Sequence, residues 1–184
     1  MTDRMWWPAA ERKSMKKSNF VAMYGLLVAL ALILSYVEAQ IPAFFAIPGM
    51  KLGLTNIVVL IALYKMNGKS ALLINIVRIL LVSLLFGNMM ALSFSAAGGM
   101  LSWLGMVLLK KTGKFRIVTV SIAGGILHNV GQILVAILWF QTTSLGYYLL
   151  ILWFTGLLTG FVIGLVSGEL VKRLQKWNMQ GGQG

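Results

Sequence analysis

Acidic residues are scarce in this sequence. Only four of its 184 residues are Asp or Glu, and the only aspartate, Asp3, lies near the amino terminus. Chemistry that uses Mg²⁺ and a diphosphate needs clustered carboxylates, so this scarcity argues against such a catalytic centre. A Walker A loop is also absent, since Gly68-Lys69-Ser70 lacks the upstream glycine that the motif requires. We therefore expect a protein that is not an enzyme by itself and that has no catalytic residues.

Cysteine is absent and histidine occurs once. The lack of cysteine excludes disulfides, thiolate metal sites and cysteine nucleophiles. One histidine without cysteine cannot build a metal site. The sequence therefore predicts neither a metal nor a cofactor.

Charged residues as a whole make up 11% of the chain, whereas 59% of it is hydrophobic and its mean hydropathy is +0.86. Soluble domains carry about a quarter charged residues, so the composition predicts an all-α integral membrane protein. A membrane-spanning helix needs roughly 20 apolar residues, and we expect a six-helix bundle. A basic tail (1–19) and a second tail (171–184) flank this membrane domain (20–170). The apolar runs cover residues 20–37, 52–64, 71–86, 92–109, 117–140 and 145–170.

The sixteen Lys and Arg residues set the predicted orientation. Fourteen of them lie in the two tails or in alternate connections between the runs, and the two exceptions are Lys51 and Arg78. Basic residues concentrate on the cytoplasmic side of a membrane, so both termini are predicted to be cytoplasmic. The net charge of +12 does not indicate a nucleic-acid partner, because the charges lie at helix ends rather than along one face.

The amino-terminal region also resembles a signal peptide, with Val37-Glu38-Ala39 as a cleavage site. Its apolar run of about 18 residues is longer than the 7–15 that are usual in a signal peptide. Cleavage would leave five helices and an external amino terminus. We therefore favour an uncleaved first transmembrane helix.

Residues 38–56 connect the first two runs and combine two prolines, two phenylalanines and a lysine. The second run is short, because a helix from Lys51 to Tyr64 rises only about 20 Å. Part of the preceding segment is therefore expected to dip into the outer half of the membrane, where protein must shield its backbone. Phe44 and its apolar neighbours would cover a ligand there.

Arg78 lies near the middle of the third run, about 12 Å from its cytoplasmic end. A charge at that depth indicates a functional site, since it is unfavourable unless it faces a cavity or a partner. Asn75 lies on the same helical face. The alternative is a structural arginine that caps carbonyl groups or pairs with Glu38. We predict that Arg78, Asn75 and Glu38 contribute to substrate binding.

His128 lies at a similar depth in the fifth run, with Asn129 beside it and Gln132 one turn later on the same face. Neighbouring glycines allow close backbone approach. A lone buried histidine often only links helices through hydrogen bonds, and both readings stay open. We include all three residues among the predicted substrate-binding residues.

Lys51 and Asn56 lie at the start of the second run, where the positive end of a helix dipole favours an anion. Lys51 could equally extend towards the lipid headgroups. Together with Arg78 and His128, these residues suggest a small anionic ligand. That hypothesis rests on the sign of the charges.

Small residues recur at four-residue spacing in the sixth run, a pattern typical of tight helix packing. A weaker version occurs in the first run, at Ala22, Gly25 and Ala29. Either face can pack inside the bundle or dock another subunit. The candidate docking residues are Gly25, Ala29, Gly156, Gly160 and Gly164.

Two segments, PGMKLGLTN at residues 48–56 and GGILHNVGQ at residues 124–132, resemble the Gx transporter family, also labelled heptaprenyl diphosphate synthase component I. The similarity extends over residues 20–176, and PGMKLGLTN is its most specific part. The architecture is also similar to the S components of energy-coupling factor (ECF) vitamin transporters. Those proteins have six helices, cytoplasmic ends, a long first external loop over the ligand and small residues on the first helix for docking.

The resemblance implies that residues 38–50 match the covering loop and that Gly25 and Ala29 match the docking motif, although only one four-residue pair is clear. It implies a substrate-binding subunit of an ECF-type importer in the bacterial plasma membrane, with a coupling membrane protein and two ATPases as partners. Its ligand would be a small organic molecule such as a vitamin, a cofactor or a quinone precursor.

Two alternatives stay open. The synthase label implies a noncatalytic membrane subunit associated with a polyprenyl (heptaprenyl) diphosphate synthase. A self-sufficient carrier or channel would need a continuous polar path, yet the polar residues thin out towards the cytoplasmic ends of the runs.

Overall fold

The computed structural model describes residues 17–40, 51–86 and 88–180, and this part of the chain contains helices and no strand. The predicted all-α class is therefore confirmed. A short 3₁₀ helix, Thr143–Tyr147, connects the last two helices. The α-helices are α1 (Lys17–Gln40), α2 (Asn56–Lys65), α3 (Gly68–Phe86), α4 (Met89–Thr112), α5 (Ile117–Phe140) and α6 (Tyr148–Gln180).

Five of these helices are long and apolar enough to cross a membrane, and the chain is a multi-pass membrane protein. The exception is α2, which has ten residues and rises only about 15 Å, half of a hydrocarbon core of about 30 Å. Six apolar helices are thus observed, while six crossings and cytoplasmic termini stay predictions.

The short helix α2 lies at the centre of the bundle. Its residues from Val58 to Lys65 are all buried, and it packs against each of the other five α-helices. A helix that is apolar all round is stable when it is buried on every side. Protein rather than lipid therefore surrounds α2. Residues 41–50, the part of the preceding segment predicted to dip into the outer half of the membrane, lie outside the described residues.

Contacts at both ends of α2 fix its direction relative to α1. The Glu38 carboxylate, near the end of α1, accepts a hydrogen bond from the Gly53 backbone just before α2. Near the start of α1, the Tyr24 hydroxyl donates to Ser70 Oγ at 2.6 Å, just after α2. The chain from 53 to 70 therefore runs antiparallel to α1 over the distance from Glu38 to Tyr24, about 21 Å along a helix.

At its carboxyl end, α2 is tied to α4. The Lys110 ammonium donates to the Leu63 carbonyl at 2.5 Å and lies 4.8 Å from the centroid of the Tyr64 ring. A cation is favourable at the negative end of a helix dipole.

Gly113 ends α4 in the left-handed region, with φ of 68°, a conformation that glycine adopts without a steric penalty.

Helices α5 and α6 meet along a line of glycines, here called the glycine seam (Gly125, Gly156, Gly160 and Gly164). A Cβ added at Gly125 would lie 2.4 Å from the Gly156 carbonyl oxygen, and one at Gly160 would lie 2.7 Å from Ile122 Cα. The backbones are therefore in direct contact, as small residues permit in membrane helices. Of the two roles predicted for this face, the structure shows packing inside the bundle, so these glycines are not free to dock a partner.

The carboxyl end of α6 extends further than the sequence boundaries suggested. The helix continues to Gln180, ten residues beyond the predicted end of the membrane domain. Its exposed Arg173 donates to Glu169 at 2.8 Å, one turn earlier. Part of the predicted second tail is therefore helical.

Candidate functional site

Polar side chains from four helices converge beside the amino end of α2. We call this group the polar centre, and its side chains are buried within the bundle. It unites most of the predicted substrate-binding residues, although they are far apart in the sequence. Its members are Glu38 of α1, Thr55 and Asn56 at the start of α2, Asn75 and Arg78 of α3, and His128 and Gln132 of α5.

Arg78 is 2% exposed and binds uncharged partners. Its Nε and one terminal nitrogen donate to Asn75 Oδ1 at 3.0 and 2.9 Å, and the other terminal nitrogen donates to Thr55 Oγ1 at 2.5 Å. Asn75 Nδ2 in turn donates to the Gly99 carbonyl of α4 at 3.0 Å. This chain of hydrogen bonds links α2, α3 and α4.

The predicted shared face of Asn75 and Arg78 is thus observed. The alternative pairing of Arg78 with Glu38 does not occur, because among the described residues no salt bridge within 4.0 Å joins them. Arg78 therefore carries a buried charge that neutral dipoles, rather than a direct counter-ion, satisfy.

Glu38 binds the backbone at the start of α2. Its Oε1 accepts from Gly53 N at 2.5 Å and from Leu54 N at 3.2 Å, while Oε2 has no hydrogen-bond partner in the described part of the chain. Turns from Gly53 run directly into α2, since Asn56 N donates to Gly53 O at 2.9 Å. A carboxylate of the chain itself therefore lies at the helix end where we predicted that an anion would bind.

Gln132 holds the same segment from the other side. Its Oε1 accepts from the Lys51 backbone N–H, and its Nε2 donates to the Lys51 carbonyl, both at 2.8 Å. The predicted site residues Lys51 and Gln132 are thus in contact, but through the lysine backbone. Burial lowers the pKa of the Lys51 ammonium, and the charge of Glu38 acts in the opposite direction.

His128 and Asn56 face Gly53. A Cβ built at Gly53 would lie 3.1 Å from Asn56 Nδ2 and 3.2 Å from His128 Cδ2. Gly53 has a φ of 84°, so glycine is needed here for both its conformation and its lack of a side chain. Within the described residues, neither polar atom of the Asn56 side chain has a hydrogen-bond partner. The His128 ring lies against the Gly98 backbone, and its nitrogens make no hydrogen bond of normal geometry.

Asn129 is directed elsewhere, towards α6. Its Nδ2 donates to the Leu152 carbonyl at 2.6 Å and to Thr155 Oγ1 at 3.3 Å. It joins α5 to α6 and is not part of the polar centre. Phe44 and the rest of the predicted lid, residues 41–50, lie outside the described residues.

The predicted docking residues of α1 have a different environment from those of the seam. Gly25 and Ala29 are exposed on the outer surface of the bundle, and a Cβ at Gly25 would meet nothing within 4 Å.

A separate apolar groove of about 340 Å³ opens between α4 and α5. It lies outside the polar centre and is lined by Ala97, Met100, Leu101, Trp103, Leu104, Gly131, Leu134 and Val135.

Thr55, Gly53, Gly98 and Gly99 take part in the site without having been predicted as site residues. Thr55 and Gly53 belong to the GLTN segment just before an apolar run. The position of this segment at a helix start could have identified them from the sequence. Gly98 and Gly99 lie against His128 and Arg78, and a Cβ at Gly98 would come 3.0 Å from His128 Nδ1. Nothing in their local sequence distinguishes them from glycines that only pack.

A family model described as heptaprenyl diphosphate synthase component I matches residues 27–170, which is 144 of the 184 residues. The matched region contains the whole polar centre and the glycine seam. No curated protein and no solved structure matches the chain.

Proposed function

The chain belongs to the heptaprenyl diphosphate synthase component I family, and from this premise and the polar centre we propose that it is the substrate-binding subunit of an ECF-type importer in a bacterial plasma membrane. It captures a small anionic organic molecule from outside. The observation that carries the proposal is a buried polar centre whose side chains keep unpartnered atoms inside a membrane protein.

Buried polar groups in proteins are nearly always hydrogen-bonded, and ionisable groups inside membranes indicate ligand or ion pathways. Here Glu38, Asn56 and His128 each keep unpartnered atoms at one place, around Gly53. Single unpartnered atoms also occur elsewhere, as at Asn129 Oδ1, but here they belong to three side chains that surround one backbone segment. The free hydrogen-bonding capacity supports a role in binding.

The charges favour an anionic ligand. Two cations, Lys51 and Arg78, and one carboxylate, Glu38, lie at or beside the polar centre. One positive charge is therefore left over, and the amino end of α2 adds the positive end of a helix dipole. Residues 41–50 join Gln40 to Lys51 at this end of α2, which suits the predicted covering loop.

Transport needs a source of energy, and we propose that partner subunits supply it. The coupling membrane protein docks on α1, where the exposed Gly25 and Ala29 leave a shallow surface for a second helix. Small residues permit such close helix contacts in membranes. Two ATPases bind the coupling protein on the cytoplasmic side, and this chain is not itself an enzyme.

The first test is gentle detergent extraction of the tagged protein from its native membrane, followed by mass spectrometry of the proteins that co-purify. The proposal expects a coupling membrane protein and two ATPases. Recovery of a prenyl synthase without any ATPase would overturn it.

A second test addresses the binding site. Small molecules released from the purified protein by denaturation are identified by mass spectrometry, for the unmodified chain and for Arg78→Leu. We expect one anionic compound that is lost from Arg78→Leu and retained by the control Arg173→Leu, whose arginine is exposed. Equal retention by both variants would contradict a binding role for Arg78.

The family description favours a second candidate, a noncatalytic membrane subunit associated with a polyprenyl diphosphate synthase. The name of the family mentions a synthase component. This candidate expects a stable complex with a soluble, aspartate-rich synthase in the same co-purification. It gives no role to a polar centre with free hydrogen-bonding capacity, and we therefore rank it second.

A further inference from the structure

We infer that the Glu38 carboxylate occupies the position that the anionic group of the ligand takes, and that the ligand binds by displacing it. The inference rests on the proposed function, since it concerns the same site. It assigns Glu38 the role of a competitor, whereas our sequence analysis predicted a residue that binds the ligand.

Glu38 contacts the backbone that leads into α2. Its Oε1 accepts two backbone N–H groups, from Gly53 at 2.5 Å and Leu54 at 3.2 Å. These groups lie in the turn that leads into α2. Unpaired N–H groups at a helix start are a general binding place for carboxylates and phosphates. Glu38 therefore has the contacts that a ligand carboxylate or phosphate would make.

Two cations lie near the Glu38 carboxylate. Lys51 and Arg78 act on Glu38 electrostatically, but neither lies within 4.0 Å of its carboxylate. The neighbouring cations are thus not held in direct ion pairs. A different anion at the same place would have the same two cations near it.

A separate observation shows that the site has further binding groups. In the described part of the chain, the polar side-chain atoms of Asn56 have no hydrogen-bond partner, and the His128 ring nitrogens make no hydrogen bond of normal geometry. Both are buried, with exposed fractions of 4% and 2%, and both face Gly53. They are positioned to bind the remainder of a molecule whose anionic group lies at the start of α2.

Close packing around Gly53 favours displacement of Glu38 over binding of a ligand beside it. A Cβ added at Gly53 would already come 3.1 Å from Asn56 Nδ2 and 3.2 Å from His128 Cδ2. The Gly53 backbone therefore packs closely against both side chains. In the displacement that we infer, a ligand reaches them when Glu38 releases Gly53 and Leu54.

Removal of the Glu38 charge should therefore make the site more accessible to anions. The chain has no cysteine, so Asn56→Cys provides a single reactive thiol in the polar centre. Its rates of modification are measured in lipid nanodiscs with an anionic sulfonatoethyl and a cationic trimethylammonioethyl methanethiosulfonate. Each rate is divided by the rate of the same reagent with a free thiol in solution.

We expect Glu38→Gln, combined with Asn56→Cys, to raise the normalised rate of the anionic reagent at least about tenfold, because unit charges interact strongly at short range in a protein interior. The cationic reagent should react more slowly than before. Glu169→Gln removes an exposed carboxylate of α6 and should change neither rate. An unchanged or lower anionic rate, or no reaction of either reagent, would overturn the inference.

Lys51→Gln keeps the test decisive if Glu38→Gln does not fold. Combined with Asn56→Cys, it should lower the normalised rate of the anionic reagent several-fold and raise that of the cationic reagent. Rates equal to those of Asn56→Cys alone would count against the inference. The result is independent of the co-purification experiment. If the chain is an importer subunit whose Glu38 is not displaced, the ATPases would still co-purify with it. The rate of the anionic reagent would then not rise in Glu38→Gln.

Discussion

The glycine seam and the polar centre are two closely packed regions of this bundle, and they differ in the kind of atoms that meet. In the seam, backbone meets backbone, and a Cβ at Gly125 would lie 2.4 Å from the Gly156 carbonyl oxygen. In the polar centre, side chains surround Gly53, and Glu38, Asn56 and His128 keep unpartnered atoms.

The difference separates a fixed region from an adaptable one. Close backbone contact has one arrangement, since interiors at this density cannot absorb an added atom. The side chains of the polar centre have unused hydrogen-bonding capacity that a new partner can take up. We therefore expect α5 and α6 to move as one unit, while the segment from Lys51 to Leu54 rearranges when a ligand binds.

The largest effect is expected in the seam. Gly125→Ala should destabilise the folded protein by about 3 kcal/mol, because the added methyl group overlaps a backbone atom that cannot move aside. Gly25→Ala is the matched control, since its Cβ meets nothing within 4 Å, and it should be neutral or stabilising by up to about 1 kcal/mol. Thermal unfolding in detergent compares the two, and equal melting temperatures would contradict this account of the seam.

Within the polar centre, two asparagines provide a direct comparison. Asn75 uses both ends of its side chain, for Arg78 and for the Gly99 carbonyl, whereas the polar atoms of Asn56 have no partner among the described residues. Asn75→Ala should cost about 2–3 kcal/mol, because it leaves a buried guanidinium short of acceptors. Asn56→Ala should cost less than about 1 kcal/mol. Chemical denaturation measures the free energy of unfolding of both variants. A greater decrease for Asn56→Ala than for Asn75→Ala would refute this comparison.

A smaller effect is expected where Gln132 holds the Lys51 backbone. Gln132→Met is similar in size but leaves the Lys51 N–H and carbonyl unpaired, which should cost about 1–2 kcal/mol. Hydrogen exchange read by mass spectrometry should show faster exchange at residues 51–54. Gln141→Met, at an exposed position after α5, should leave that exchange unchanged. Unaltered exchange in Gln132→Met would show that Gln132 does not hold the segment.

The smallest effect on stability is expected on the outer surface of α1. Gly25→Leu fills open space and should leave the melting temperature unchanged, yet it should remove the coupling protein from the co-purified complex by blocking close helix contact. Gly146→Leu, also in open space, should affect neither property. Retention of the coupling protein by Gly25→Leu would locate docking elsewhere.

Part of the site could be predicted from the sequence because of the environment it occupies. Arg78 and His128 are conspicuous in apolar runs, since a polar residue at membrane depth is rare and needs a partner. Helical periodicity also placed Asn75 beside Arg78 and Gln132 beside His128. The direction of Asn129 was less accessible, because adjacent residues on a helix point to different sides and only the position of α6 decided its partner.

The role of Glu38 could not be derived from the sequence. Our sequence analysis placed it among the substrate-binding residues and gave an ion pair with Arg78 as the alternative. The fold instead places it against the Gly53 and Leu54 backbone. That contact depends on how α1 and α2 lie beside each other, which no local pattern encodes.

A helical membrane protein, the places of its apolar runs and the polar residues buried among them could all be predicted from the amino-acid sequence. These properties follow from composition and periodicity, because hydrocarbon excludes unpaired polar groups along every residue of a run. The packed fold was needed to show that α2 is the central helix, that the seam glycines pack within the chain, and that Glu38 holds the start of α2. Each of these depends on which helix faces meet, and that choice is made by packing between residues far apart in the sequence.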